Sequence, residues 1–184
     1  MRYFIDIKCL SDLEKQEKWE EARKMLYRTW ERDKQNSEKL IRLLSECWYV
    51  LSLWDCCISN EGLSYQVFQN TLVECIEFGL NYHNDNSRFL CIAGYMASVL
   101  PLVFCTDNTD SAYTEWEQRG IDMLRKSCEI DHDDPLSKVL YLGTTTLSIT
   151  EYNNIKRQLL PEISSFFPSD TALEKYFKDI LSVN

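Results

Sequence analysis

The stretch EKWEEARKMLYRTWERDKQN, residues 17–36, decides how the rest of the chain is interpreted. Apolar side chains recur in it at intervals of three and four residues, and charged side chains fill most of the positions between them. The recurring apolar residues are Trp19, Ala22, Leu26 and Trp30. Such spacing lines one stripe of a helix, so the stretch predicts an amphipathic α-helix with one buried face.

The composition extends this prediction to the whole chain. With 5 Gly and 4 Pro among 184 residues, the sequence has too few turn-forming residues for a β-sandwich or a β-barrel. Its 45% hydrophobic content is sufficient for a packed core in a chain of this length. We therefore expect an all-α protein with a single domain over residues 1–184, formed by about seven or eight helices.

Residues 2–16 allow two interpretations. FIDIKC, residues 4–9, alternates apolar and polar side chains as a strand does, whereas Ser11 and Glu14 have the spacing of a capping box. An isolated strand would have no pairing partner in a chain without other strand signals. We favour a helix over this segment, packed antiparallel against residues 19–33, with the strand as the alternative.

The remaining helices are predicted from caps and breakers. Ser37 and Ser87 are suitable N-caps for the apolar helices that follow them, and Pro135 suits the first turn of another. The helix after Ser87 must bend or end near Pro101, because proline cannot donate to the helical ladder. Further helices are expected over residues 64–80, 111–129, 150–160 and 170–181.

Three junctions between helices resemble one another, and they read RDKQNSEKLIRLL, NYHNDNSRFLCIAG and IDHDDPLSKVLYLG. Asn36, Asn86 and Asp134 take equivalent places in them, 50 and 48 residues apart. A polar turn, a cap and an apolar helix that recur at such a period indicate an array of helix pairs. The expected units cover residues 1–36, 37–86, 87–134 and 135–184.

The spacing within residues 17–36 resembles the second helix of a tetratricopeptide repeat. That family places an aromatic, a small, a large apolar and another small residue before a turn. The matching positions are Trp19, Ala22, Leu26, Thr29 and the turn at residues 34–36. A poorer match has its aromatic residue one position early, and it consists of Trp116, Glu117, Gly120, Leu124 and Ser127.

Two departures from the family pattern are visible. The period of 48 to 50 residues exceeds the family's roughly 34, and Glu17 or a neighbour takes the place of the glycine expected between paired helices. The small positions allow helix backbones to approach closely. The resemblance implies antiparallel helix pairs stacked as a short α-solenoid with a binding role, and it implies no particular ligand.

The formal charge of −9, from 29 acidic and 20 basic residues, restricts the partners. A negative field repels phosphate backbones and attracts basic surfaces. We therefore expect no direct binding of nucleic acid and consider a basic protein as the partner. The alternative is that the charge serves solubility alone.

The cysteines and the N-terminus indicate a reduced compartment. None of the 8 cysteines forms a Cys-x-x-Cys pair, and His83 and His132 lie near no cysteine cluster, so no zinc site is expected. The start MRYFIDIKCLSDLEK lacks the apolar core of a signal peptide, and the apolar run at residues 95–105 is too short to span a bilayer. We expect a soluble cytoplasmic protein with no cofactor, metal ion or membrane contact.

Two groups of residues are weak candidates for catalytic chemistry. The acidic side chains around His132, in DHDD at residues 131–134, would either hold a hard cation or cap the next helix, and capping is favoured. No basic cluster accompanies the adjacent Cys56 and Cys57, which are expected to be one buried and one partly exposed thiol. The chain has no Gly-x-Ser-x-Gly elbow and no phosphate-binding glycine loop, and we do not expect an enzyme.

Aromatic and acidic side chains are the candidates for partner binding. Trp48 and Trp54 flank an apolar stripe and are expected to pack between helices, whereas Tyr49 and Tyr95 are expected to lean outward. The predicted partner-binding residues are Glu46, Tyr49, Tyr95, Asp107, Asp110, Glu115, Asp131, Asp133 and Asp134.

Two functions follow as hypotheses. Small size, acidity and a self-contained helical scaffold are similar to bacterial immunity proteins of the contact-dependent inhibition type, which neutralise a cognate toxin. Because nuclease toxins are basic, an acidic partner would associate rapidly and cover the active cleft. The alternative is a tetratricopeptide-like adapter or chaperone that holds peptides in a concave groove, with Arg42 and Arg88 as the basic residues that line it.

Overall fold

The computed structural model describes residues 2–56, 58–106, 109–145 and 148–182. These residues form helices and turns and contain no strand, which confirms the all-α prediction. The helices are α1 Leu10–Lys15, α2 Trp19–Glu31, α3 Ser37–Ser52, α4 Tyr65–Tyr82, α5 Ser87–Val99, α6 Asp110–Ile130, α7 Pro135–Thr144, α8 Ile149–Leu159, α9 Ile163–Phe166 and α10 Ala172–Ser182. Short 3-10 helices occupy Pro101–Phe104 and Leu160–Glu162.

The chain divides into two compact units. The first contains Met1–Tyr82 together with Ser164–Asn184, and the second contains His83–Ile163. The division therefore falls in the turn after α4 and again within α9. This division does not test the single domain expected over residues 1–184 or the resemblance to a tetratricopeptide repeat. Both stay predictions.

In the first unit, α3 is the central helix. Its residues from Leu40 to Trp48 are all buried, and it packs against α2, α4 and α10. Only a short turn joins α2 to α3, so these two contacting helices run in opposite directions. Trp48 packs edge-on against Tyr176 of α10, which confirms its predicted place between helices.

The N-terminal segment departs from the prediction. Only Leu10–Lys15 is helical, whereas residues 2–9 form neither the favoured helix nor the alternative strand. Tyr3 and Phe4 are instead buried against the rings of Phe166 and Phe167, and the amide of Tyr3 donates to the carbonyl of Phe166 at 3.1 Å. Contacts with residues far along the chain thus fix a segment whose local pattern suggested regular structure.

In the second unit, α5 packs against α6 and α7, and α7 packs against α8. The helix α5 ends at Val99 just before Pro101, as predicted, and a 3-10 turn follows. Two of the predicted small positions lie in this interior. Gly120 contacts the backbone of α5, and the Ser127 hydroxyl donates to the carbonyl of Ser87 at 2.8 Å.

The three predicted junctions share one local geometry. Asn36, Asn86 and Asp134 are the N-caps of α3, α5 and α7, with extended backbone and side chains that accept hydrogen bonds from the first-turn amides. The prediction of Ser37 and Ser87 as caps is wrong by one residue. The side-chain oxygen of an asparagine one position earlier, Asn36 or Asn86, reaches these amides, so each serine begins the helix. Pro135 is the first helical residue of α7, as predicted.

Candidate functional site

The outer face of α6 brings together exposed carboxylates within the second unit. The Thr109 hydroxyl accepts from the amide of Ala112 at 3.2 Å and caps the helix. Gly120, Leu124 and Ser127 are buried along one side, so the helical period turns the acidic residues to the opposite side. A shallow groove of about 610 Å³ follows this outer face, lined by Asp110, Ser111, Thr114, Glu115, Gln118, Arg119 and Asp122.

Two of the three basic residues of α6 form exposed ion pairs with its carboxylates, and the third, Lys126, is exposed. Arg119 lies 3.1 Å from Glu115, and Arg125 lies 3.0 Å from Asp122, with all four side chains about half exposed or more. Exposed pairs of this kind contribute about 0.2–1 kcal/mol and are screened by salt. The carboxylates therefore remain available to a partner that brings stronger or better oriented positive charge.

The sequence around α6 holds most of the excess charge of the chain. Residues 107–134 contain nine carboxylates and three Lys or Arg residues, against a formal charge of −9 for all 184 residues. Asp110 and Glu115, both predicted to bind a partner, are exposed here. Asp107 lies outside the described residues. Asp122 was missed by the sequence prediction, although its spacing of seven from Glu115 puts it on the same face.

The predicted partner-binding residues Asp131, Asp133 and Asp134 differ in their exposure and in their hydrogen bonds. Asp133 is exposed and Asp131 is half-buried at the C-terminal end of α6. Asp134 is buried, where its carboxylate accepts from the amides of Leu136 and Ser137 at 3.2 Å each. The capping interpretation of Asp134 is thus confirmed, and this side chain faces the protein interior. The described residues include no group of three or more His, Cys, Asp or Glu that is placed to hold a metal ion.

Two other predicted contact residues are buried. Tyr95 is only 8% exposed, so the prediction that it leans outward is wrong; α5 is covered from Phe89 to Ala97 and has no free stripe there. Glu46 is 1% exposed and accepts from Arg42 at 2.9 Å inside the first unit. Tyr49 is half-buried and contacts the rings of Trp19 and Tyr176.

Arg42, a basic residue predicted to line a peptide groove, is the centre of a buried charged cluster. Its guanidinium donates to Glu46 on the same helix and to Glu14 of α1. Burial raises the pKa of the Glu46 carboxyl, Arg42 opposes this effect and the nearby Glu14 adds to it, which together place the pKa at about 7. The sequence shows the spacing of four between Arg42 and Glu46, but no local pattern indicates Glu14.

A cleft of about 520 Å³ lies beside this cluster in the first unit. Residues of α1, α3 and α10 and of the turn before α10 line it, and they are Glu14, Lys15, Tyr49, Leu53, Asp170, Ala172, Lys175, Tyr176 and Asp179. Carboxylates and lysines are nearly balanced around the rim of this cleft, so its charge favours neither an acidic nor a basic partner. The α6 face differs because acidic residues predominate there.

Within the described ranges, no helix combines the length and the apolar character that crossing a membrane requires. Contacts, burial and charge of the chain's own residues identify the outer face of α6 as the candidate site. Comparisons with protein-family models, with curated proteins and with solved structures gave no match to this chain.

Proposed function

We propose that this chain is a non-catalytic, cytoplasmic binding protein that docks a basic protein through the outer face of α6. In this role it is a specific inhibitor, an immunity protein that covers the active cleft of a nuclease-type toxin domain. The observation that carries the proposal is the group formed by the exposed Asp110 and Glu115 and the half-exposed Asp122, which line one groove in the most acidic part of the chain.

The physical basis is electrostatic complementarity. A nuclease needs a positive cleft because its substrate is a polyanion, and an acidic protein surface of similar reach is drawn to the same cleft. Complementary charge raises the association rate and selects against acidic partners more than it raises affinity. Because Glu115 is exposed, Asp122 is half exposed and both are weakly paired, little desolvation opposes the exchange of partners.

The test begins with a basic nuclease domain captured by the chain from its native host. Addition of the chain should abolish nuclease activity, and the association rate constant should fall as salt rises. The triple substitution Asp110→Asn, Glu115→Gln and Asp122→Asn should lower that rate constant about tenfold at low salt. Stopped-flow fluorescence or surface plasmon resonance measures the rate directly.

A matched control variant removes the same number of negative charges from residues outside α6. Glu21, Glu61 and Glu77 are exposed in the first unit, and their replacement by Gln removes the same three charges. This control should retain a rate constant within about twofold of the original protein, because none of the three residues lines the α6 groove. Equal slowing by both triple variants would show that net charge, rather than the α6 face, steers the association.

The second candidate function is a peptide-binding adapter, which the recurring helix-pair junctions at Asn36, Asn86 and Asp134 support. The peptide groove predicted for an adapter would be lined by Arg42, but this residue is buried and paired with two carboxylates, which argues against such a groove. Weak binding of several unrelated short peptides, with no effect on any nuclease, would favour the adapter over the inhibitor.

A further inference from the structure

The buried cluster of Glu14, Arg42 and Glu46 joins three helices of the first unit. Arg42 donates to Glu46 at 2.9 Å within α3 and to Glu14 across to α1. The other oxygen of Glu14 accepts from the amide of Ala172 at 2.6 Å, at the first residue of α10. All three side chains are 1% exposed, so this network is closed to water.

The cluster holds more negative than positive charge when all its members are ionised. Two carboxylates share one guanidinium, and arginine stays protonated at any ordinary pH. Oε1 of Glu46 is buried and has no hydrogen-bond partner among the described residues. An ionised carboxylate with a bare oxygen in such a site is strongly disfavoured, whereas the neutral acid relieves both burial and repulsion from Glu14.

Other charged groups around α3 leave this imbalance in place. On α2, Arg23 and Glu20 form an ion pair with each other and act on the adjacent Cys47. On α10, the buried Glu174 lies 3.6 Å from Arg2 and accepts from the amide of Ser169. At the cleft, Lys15, Lys175, Asp170 and Asp179 are exposed and water screens them.

We propose that the proton on Glu46 operates a latch that fastens α1 and the start of α10 to α3. With Glu46 neutral, Arg42 is free to hold Glu14, and Glu14 in turn holds the amide of Ala172. When Glu46 is ionised, it competes with Glu14 for Arg42, and the two carboxylates repel each other at close range. The contact that joins the three helices then weakens, and the cleft that they line opens.

The direction of the pH response follows from the raised pKa of Glu46. A carboxyl whose folded-state pKa lies above its unfolded value contributes stability at low pH, and this contribution is lost as pH rises through the folded value. Burial sets that value at about 7. The latch is therefore closed in mildly acidic solution and loosens as pH rises to about 7, opposite to the usual acid weakening of a salt-bridged carboxylate.

Hydrogen exchange at the backbone amides of α1 and α10 tests the latch in the full chain. Between about pH 5 and pH 7, their protection factors should fall by up to about tenfold for each pH unit, because opening releases the Glu46 proton there; above about pH 7 they should level off, because Glu46 is then ionised in both states. Glu46→Gln keeps the shape of the neutral acid, and its protection factors should stay constant over the same range. Glu61→Gln, at an exposed carboxyl, should follow the original protein.

Two outcomes would overturn the latch. The first is an identical pH dependence of α10 protection in the original protein and Glu46→Gln. The second is a carbon-13 NMR titration of the Glu46 carboxyl in the original protein with a midpoint at the ordinary value of glutamate. The second measurement needs no variant, so it decides the matter even if Glu46→Gln folds poorly.

Discussion

Gly94 and Gly120 face each other where α5 crosses α6, and a β-carbon added to Gly120 would lie 2.7 Å from the carbonyl oxygen of Gly94. The same β-carbon would lie 2.4 Å from the backbone nitrogen of Ser98. Both neighbours are backbone atoms of a buried helix, so they cannot rotate away as a side chain can. The absence of a side chain at Gly120 sets how closely the two helices pack.

Gly120→Ala should therefore lower the free energy of unfolding by about 3 kcal/mol, the upper part of the range for an overpacked core. Gly143→Ala is the matched control, since its β-carbon would meet only a ring edge of Tyr152 at 3.4 Å. There the gain in helix propensity should leave stability unchanged or raise it by up to about 1 kcal/mol. Urea denaturation measures both, and equal effects of the two substitutions would contradict the close crossing.

The cap substitutions Asn36→Ala, Asn86→Ala and Asp134→Ala should each lower the free energy of unfolding by about 1 kcal/mol. Each removes the side-chain oxygen that accepts from first-turn amides at 2.9 to 3.2 Å. Ser87→Ala serves as the control and should change stability by no more than about 0.5 kcal/mol, because the serine begins the helix. A larger loss at Ser87 than at Asn86 would return the cap to the position predicted from sequence.

Arg42→Ala should destabilise the protein by about 3–5 kcal/mol at pH 8, because two buried carboxylates lose their shared partner. The loss should be smaller at pH 5, where the Glu46 carboxyl can take up a proton; without Arg42 the pKa of Glu46 lies higher, so its stability contribution falls as pH rises. Arg119→Ala breaks an exposed pair with Glu115 and should change stability by no more than about 1 kcal/mol. Thermal unfolding at both pH values measures the loss of stability in Arg42→Ala. A loss that did not depend on pH would contradict the buried charged cluster.

Thiol alkylation should separate the cysteines by burial. Cys9 is exposed and should react in the folded protein, whereas Cys47 and Cys75 are fully buried and should react only after unfolding. Burial also raises the pKa of both buried thiols, which lowers the thiolate fraction that reacts. Mass spectrometry of iodoacetamide-treated protein gives the order in which the cysteines react. Early modification of Cys47 would contradict the packing around α3.

The helices and their junctions could be predicted because their causes are local. The stripe from Trp19 to Trp30 is buried in α2, and the repeated polar junctions contain the caps, although Asn36 and Asn86 lie one residue before the predicted serines. The same local rules failed for Tyr95 because period alone cannot show that a helix is covered on every side. Asp110 and Glu115 were found as exposed acids because such residues rarely enter a core.

By itself the sequence determined the helical character, the excess of negative charge and, after residue 16, the approximate places where the longer helices begin, since these follow from spacing and composition. Tertiary structure alone decided the irregular path of residues 2–9, the meeting of Gly94 with Gly120, and the enclosure of Arg42 between Glu14 and Glu46. These features join residues that are 26 or more positions apart, except for the pair within α3. Only the folded chain brings such residues together, because packing depends on the shapes of all neighbouring elements at once.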